Sequence, residues 1–144
     1  MRWWLFVLAA CGKNPVMPDA PTGLCSDTRP LAPTFTNVQL LFSAICTTCH
    51  TDQVELDLAA GKSYGSLVGK PAVNYATPPT MDACGGTLVT PGHPETSYLY
   101  IKISSDTPCA GTRMPLTDIG TTSPLMPCEQ AAIHDWIAAG APND

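Results

Sequence analysis

Cys46-Thr47-Thr48-Cys49-His50 puts two thiols three positions apart and an imidazole directly after the second. Two intervening residues let one turn of chain bring both sulfurs under one edge of a porphyrin, with the histidine projecting beneath its centre. A Cys-x-x-Cys-His run is the attachment pattern of c-type haem, in which the thiols add across the vinyl groups and the histidine binds the iron. The same residues admit two other uses. Cys46, Cys49 and His50 could hold structural zinc together with Cys84. A disulfide oxidoreductase could use the two thiols, but no βαβ pattern surrounds them.

Outward from this run, Val38, Leu41, Phe42 and Ile45 fall at i, i+3, i+4 and i+7, one face of an amphipathic helix. Asn37, or Thr36 before it, is the expected N-cap. The helix runs directly into Cys46, so a packed element delivers the Cys-x-x-Cys-His turn.

Upstream lies Met1-Arg2-Trp3-Trp4-Leu5-Phe6-Val7-Leu8-Ala9-Ala10-Cys11, one positive charge followed by a short apolar run and small residues. This is the layout of an export signal, too short to span a bilayer as a helix. Its ending resembles a bacterial lipoprotein box, with cleavage before Cys11 and lipidation of that cysteine, which would anchor the chain to a membrane. Residues 12–34, rich in Pro, Gly, Asp and Thr and without periodicity, read as a flexible tether pinned only at Cys25.

Downstream, residues 63–69 predict a short helix ended by glycine. Residues 70–94 carry five prolines and read as loop. Tyr98, Leu99, Ile101 and Ile103 form an apolar stretch that propensity leaves open between strand and helix. Residues 104–127 return to loop. A last helix then starts at Pro127, buries Ile133, Trp136 and Ile137, and stops at Gly140 and Pro142.

The chain has 144 residues with 15 Pro, 11 Gly and 7 Cys, which describes one domain of short helices and long loops with a marginal core. A covalent apolar macrocycle would supply the missing core. The net charge of −5, with no Lys/Arg cluster, argues against a nucleic-acid partner. So many cysteines in a short chain point to an oxidising compartment.

A haem held by His50 on one face needs a ligand on the other. Met81, Met114, Met126, His93 and His134 are the candidates. Met114 is favoured: it lies 64 residues after His50, enough chain to pass around a porphyrin, and Pro115 stiffens its approach. A thioether in that position stabilises ferrous iron. Met126 abuts the last helix, Met81 has no supporting context, His93 sits in a Gly-Pro turn, and His134 lies on the face away from Trp136.

These residues resemble the class I c-type cytochromes, in particular the small cytochrome c-like domains of myxobacterial lipoproteins and planctomycete cytochrome proteins. The resemblance covers about residues 35–142. It rests on residues 46–50, on Leu56-Asp57-Leu58 with Tyr64-Gly65-Ser66-Leu67-Val68-Gly69, and on Val89-Thr90-Pro91-Gly92-His93-Pro94 with Ser97, Leu99 and Lys102. It continues with Arg113-Met114-Pro115 and ends on Ile133-His134-Asp135-Trp136-Ile137 with Ala139-Gly140-Ala141. The resemblance implies an all-α class I cytochrome c-like fold, three to five short helices with long loops around one covalent haem c. It implies attachment through Cys46 and Cys49, axial ligation by His50 and Met114, a helix after Pro94, and first and last helices crossing with Phe42 facing Trp136. Met126 departs from the family, where a capping serine is usual, and so do the extra cysteines.

Cys25, Cys84, Cys109 and Cys128 then remain, and four cysteines allow three pairings. Cys84 with Cys109 closes the shorter loop, leaving Cys25 with Cys128 to tie the tether to the last helix. The expected protein is an exported, lipid-anchored monohaem cytochrome on the periplasmic side of a bacterial membrane or at the cell surface, passing single electrons between redox partner proteins. Two protein ligands leave no open iron position, so it is an electron carrier and not an enzyme. The alternatives are a haem enzyme or gas sensor with an open iron site, and a non-haem zinc-binding or disulfide-stabilised lipoprotein.

Overall fold

A computed structural model describes residues 24–26, 28–51, 56–72, 86–116 and 120–144. The export signal, Cys11, Met81 and Cys84 lie outside these residues. Within them the protein is all-α, with isolated β-bridges and no strand. The helices are α1 (Phe35–Leu41), α2 (Ser63–Leu67), α3 (Tyr98–Ser104) and α4 (Pro127–Ala138). A wider π-type segment, Phe42–Cys46, continues α1, and a 3₁₀ turn, Pro94–Thr96, precedes α3.

The start of α1 accounts for each of its first free N–H groups, which would otherwise lose hydrogen bonds on burial. The cap is Thr34, earlier than either residue expected from the sequence. Its Oγ1 accepts from the Asn37 N–H at 3.3 Å, and Asn37 spends its side-chain amide on the Ala32 carbonyl. Phe35 N–H donates to the Asp144 carboxylate at 2.7 Å and Thr36 N–H to the Asp144 carbonyl at 3.2 Å. Those partners lie more than a hundred residues away, which is why local spacing misplaces the cap. The helix does not run unchanged into Cys46. Its hydrogen bonding widens at Phe42, whose carbonyl accepts from Thr47 N–H at 3.0 Å.

The last helix ends as its sequence implies. Gly140 takes φ +94°, its N–H reaches the Ile137 carbonyl, and Ala141 N–H reaches the Trp136 carbonyl, both at 2.9 Å. This pair of bonds is a Schellman closure, for which glycine is the least strained residue. At the other end, Met126 N–H donates to the Glu129 carboxylate at 2.8 Å, one half of a capping box.

The faces of α1 and α4 pack together, and α3 lies against α4. Val38, Leu41 and Phe42 from the first meet Ile133, Trp136 and Ile137 from the last, all at 1% exposure or less. The ring found against Trp136 is Phe35, with centroids 5.4 Å apart. Phe35 precedes the periodic stretch, and Phe42 lies buried in the same core as Trp136.

Residues 98–104 are helical because long-range bonds decide what propensity does not. Tyr98 and Leu99 N–H groups donate to the Thr87 and Leu88 carbonyls at 3.0 and 2.9 Å, anchoring the first turn of α3. The run from Val89 to Ser97 folds on itself: the buried Ser97 hydroxyl accepts from Thr90 N–H and donates to the His93 carbonyl, both at 2.8 Å. Gly92, at φ +82°, donates to the Ile137 carbonyl at 2.7 Å and so docks this turn on α4.

The N-terminal stretch is bound more widely than a tether pinned at one residue. Cys25 is joined to Cys128 at the start of α4, with Cα atoms 6.1 Å apart, and Leu24 and Leu31 pack on the core. Leu24, Cys25 and Leu31 are thus held to the packed unit, the leucines because they have apolar surface to cover.

Candidate functional site

After the π-type segment the chain makes one more helical turn. Cys46 carbonyl accepts from Cys49 N–H at 3.2 Å and from His50 N–H at 2.9 Å. An i to i+4 bond of this kind puts Cys46, Cys49 and His50 on one face, since residues three and four apart are neighbours on a helix. His50 carbonyl then accepts from Leu58 N–H at 2.8 Å, tying the turn to the Leu56–Asp57–Leu58 run.

The three side chains differ in state. Cys46 is a free thiol at the edge of the core, and burial, followed by the charge of Glu129, pushes its pKa up to about 12. Such a thiol stays protonated, which makes it a poor redox nucleophile at neutral pH. Cys49 is disulfide-bonded. His50 is half-buried, burial holds its pKa below the usual histidine value, and its Nδ1 is buried without a hydrogen-bond partner. A neutral imidazole with an unpartnered buried ring nitrogen lacks one polar contact that its setting calls for.

Met114 is half-buried and packs on the same core that Cys46 borders. Its N–H donates to the Lys102 carbonyl at 2.8 Å, and its bond to Pro115 is cis. The other described candidates for a second ligand are engaged or exposed. Met126 is 41% exposed. His93 is exposed before the 3₁₀ turn. His134 lies edge-on to Tyr100, with one nitrogen 2.8 Å from Asp135 and the other 3.5 Å from Glu95.

Cys109 is disulfide-bonded as well, and its expected partner Cys84 lies outside the described residues. Among the described residues, no three His, Cys, Asp or Glu side chains group as metal ligands. The zinc arrangement also calls on Cys84, which lies outside these residues. Among the described residues no helix is long and apolar enough to cross a membrane.

Two residues next to the site drew no attention for their local roles. Glu129, one turn into α4, faces the Cys46 thiol electrostatically. Lys102 carries the carbonyl that holds Met114. Only its place in the family-like run singled it out, because its hydrogen bonds are with residues eight or more positions away. No protein-family model matches this chain, and no curated protein or solved structure matches it.

Proposed function

We propose that this chain is an exported monohaem c-type cytochrome that carries single electrons, with haem attached at Cys46 and Cys49 and ligated by His50 and Met114. The observation that carries the reading is the single helical turn of residues 46–50. It puts two sulfurs and a neutral imidazole with an unpartnered buried nitrogen on one face. The all-α architecture, with α1 packed on α4, is compatible with a small class I cytochrome c-like fold. The residues present fit a covalent haem. Burial keeps His50 neutral and able to ligate, and the loop carrying Met114 borders the same core as Cys46.

Bound haem would supply a one-electron Fe(III)/Fe(II) couple, and the protein's part would be to set its potential and present its edge. Cys46 offers its S–H directly. Cys49 must first be released from its disulfide, which takes two electrons and two protons from a dithiol reductant and yields two thiols. Each S–H then adds across one vinyl group with no net oxidation or reduction. Donor and acceptor proteins would approach the haem edge near the thioethers. Lipidation at Cys11 would hold the protein to a membrane.

The disulfide at Cys49 favours a second reading, an exported disulfide-stabilised protein without haem. Co-expression with periplasmic haem-attachment machinery, followed by intact mass and visible spectrum, separates the two. The cytochrome reading expects one haem of added mass and a c-type spectrum, both abolished in Cys46→Ser/Cys49→Ser. An unmodified mass from the same cells overturns it.

A further inference from the structure

The loop of residues 105–114 is fastened to α3 by polar contacts, two of which converge on a single main-chain carbonyl. Lys102 Nζ donates to the Ala110 carbonyl at 2.7 Å, and Tyr98 hydroxyl donates to the same oxygen at 2.8 Å. The ammonium stands 5.7 Å over the Tyr98 ring, within reach of its negative face. Ala110 is buried, so its carbonyl could not exchange these donors for water without opening the loop. Next to it, Gly111 has φ +65°, and a Cβ there would stand 2.7 Å from Lys102 Nζ. Only glycine leaves the ammonium its place. Lys102 also holds the loop by its main chain, through the bond from Met114 N–H. Arg113 closes the remaining side, donating from Nε to the Ile103 carbonyl at 2.9 Å and pairing with Asp106.

We propose that Lys102 is the positioning residue for Met114, its ammonium locking the Ala110–Gly111 corner so that the loop presents Met114 in one place relative to α3. The functional consequence rests on the reading of Met114 as an iron ligand; the mechanical one does not. Lys102 acts on the loop that carries the ligand and has no role in holding haem itself. Lys102→Met keeps an unbranched side chain of similar length and removes the donor.

The test compares wild type, Lys102→Met and Tyr98→Phe as full-length proteins with haem attached. It uses three readouts: the sulfur-to-iron charge-transfer absorption of the oxidised form, hydrogen exchange of the Met114 amide, and the denaturant midpoint. Lys102→Met is expected to weaken or lose the absorption and to speed Met114 exchange by about tenfold, with the global midpoint little moved. Tyr98→Phe, which leaves the lysine in place, is expected to do the same more weakly. If Lys102→Met keeps both the absorption and the wild-type exchange rate, the proposal is wrong. If wild type itself lacks the absorption, the ligand reading fails, and amide exchange alone then decides whether Lys102 holds the loop. If Lys102→Met does not fold, Tyr98→Phe decides: an unchanged Met114 exchange rate and absorption count against the lock.

Discussion

The α1–α4 pair and the 105–114 loop are stabilised by opposite means. The pair is held by what it buries: six large side chains, from Val38 to Ile137, at 1% exposure or less. The loop buries little beyond Ala110 and is held by directed bonds from Tyr98, Lys102 and Arg113 to main-chain carbonyls. Packing spreads its free energy over many contacts and tolerates small shifts. Directed bonds fix one atom against another and fail one at a time. The proposed attachment turn grows from the packed half, through the π-type segment after α1, while the proposed distal ligand hangs on the bonded half. A redox site made this way would have a fixed face and an adjustable face.

The packed half is where truncation should cost most. Trp136 is fully buried, its ring meets Phe35, and its indole N–H donates to the Pro142 carbonyl at 2.9 Å. Trp136→Ala removes the apolar volume and leaves that carbonyl without its donor, for a loss of about 3–5 kcal/mol. In a domain this small, that is enough to unfold much of the population at 25 °C. Circular dichroism during guanidinium unfolding reads it directly, and a midpoint near wild type would mean that the pair is not the core.

The Cys25–Cys128 disulfide comes next. It closes a loop of 103 residues and joins the N-terminal stretch to α4. Cys25→Ser/Cys128→Ser is expected to cost about 2–4 kcal/mol, mainly by restoring freedom to the unfolded chain. Leu24 and Leu31 would then rely on packing alone, so protease cleavage should appear among residues 26–31 before α4 opens. Equal cleavage in wild type and variant would separate the disulfide from the packing of this stretch.

Capping of α1 is a smaller and more local effect. Thr34→Ala deletes one of three satisfied N–H groups in the first turn and leaves the two held by Asp144, so a loss of about 1 kcal/mol is expected. A double-mutant cycle with Asp144→Ala, which removes the side-chain acceptor of the Phe35 N–H, checks whether the two sets of contacts act independently. Near-additive losses would show two separate caps.

What could be read from sequence follows the same division. Apolar residues at helical spacing mark α1 and α4, and Pro127 and Gly140 mark the ends of α4, because those signals act within one or two turns. The spacing of Cys46, Cys49 and His50 is equally local. The features that escaped reading act over distance: Asp144 against the start of α1, the Thr87 and Leu88 carbonyls that make residues 98–104 helical, and Lys102 against Ala110. The widening at Phe42 has no proline or glycine to announce it. Composition did favour a tether, but Leu24 and Leu31 are apolar in a polar stretch, and that was the available sign that it packs.

The smallest expected effect lies on the chain just after the attachment turn. Asp57 accepts from Ala59 N–H and pairs with Lys62, both at 2.9 Å. The bond from Lys62, followed by that from Ala59, holds its carboxyl below the usual value. The unfolded chain therefore takes up a proton here at a higher pH than the folded one. Stability rises with pH wherever the unfolded state binds more protons, so this contribution is present above about pH 4 and is lost as the pH falls through the lower folded value. Lys62 is largely exposed and salt screens such pairs, so the effect on the neutral-pH midpoint should be slight. Asp57→Asn should leave that midpoint nearly unchanged and flatten the acid limb below about pH 4. An acid limb identical to wild type would show that the contacts of Asp57 with Ala59 and Lys62 add nothing to stability.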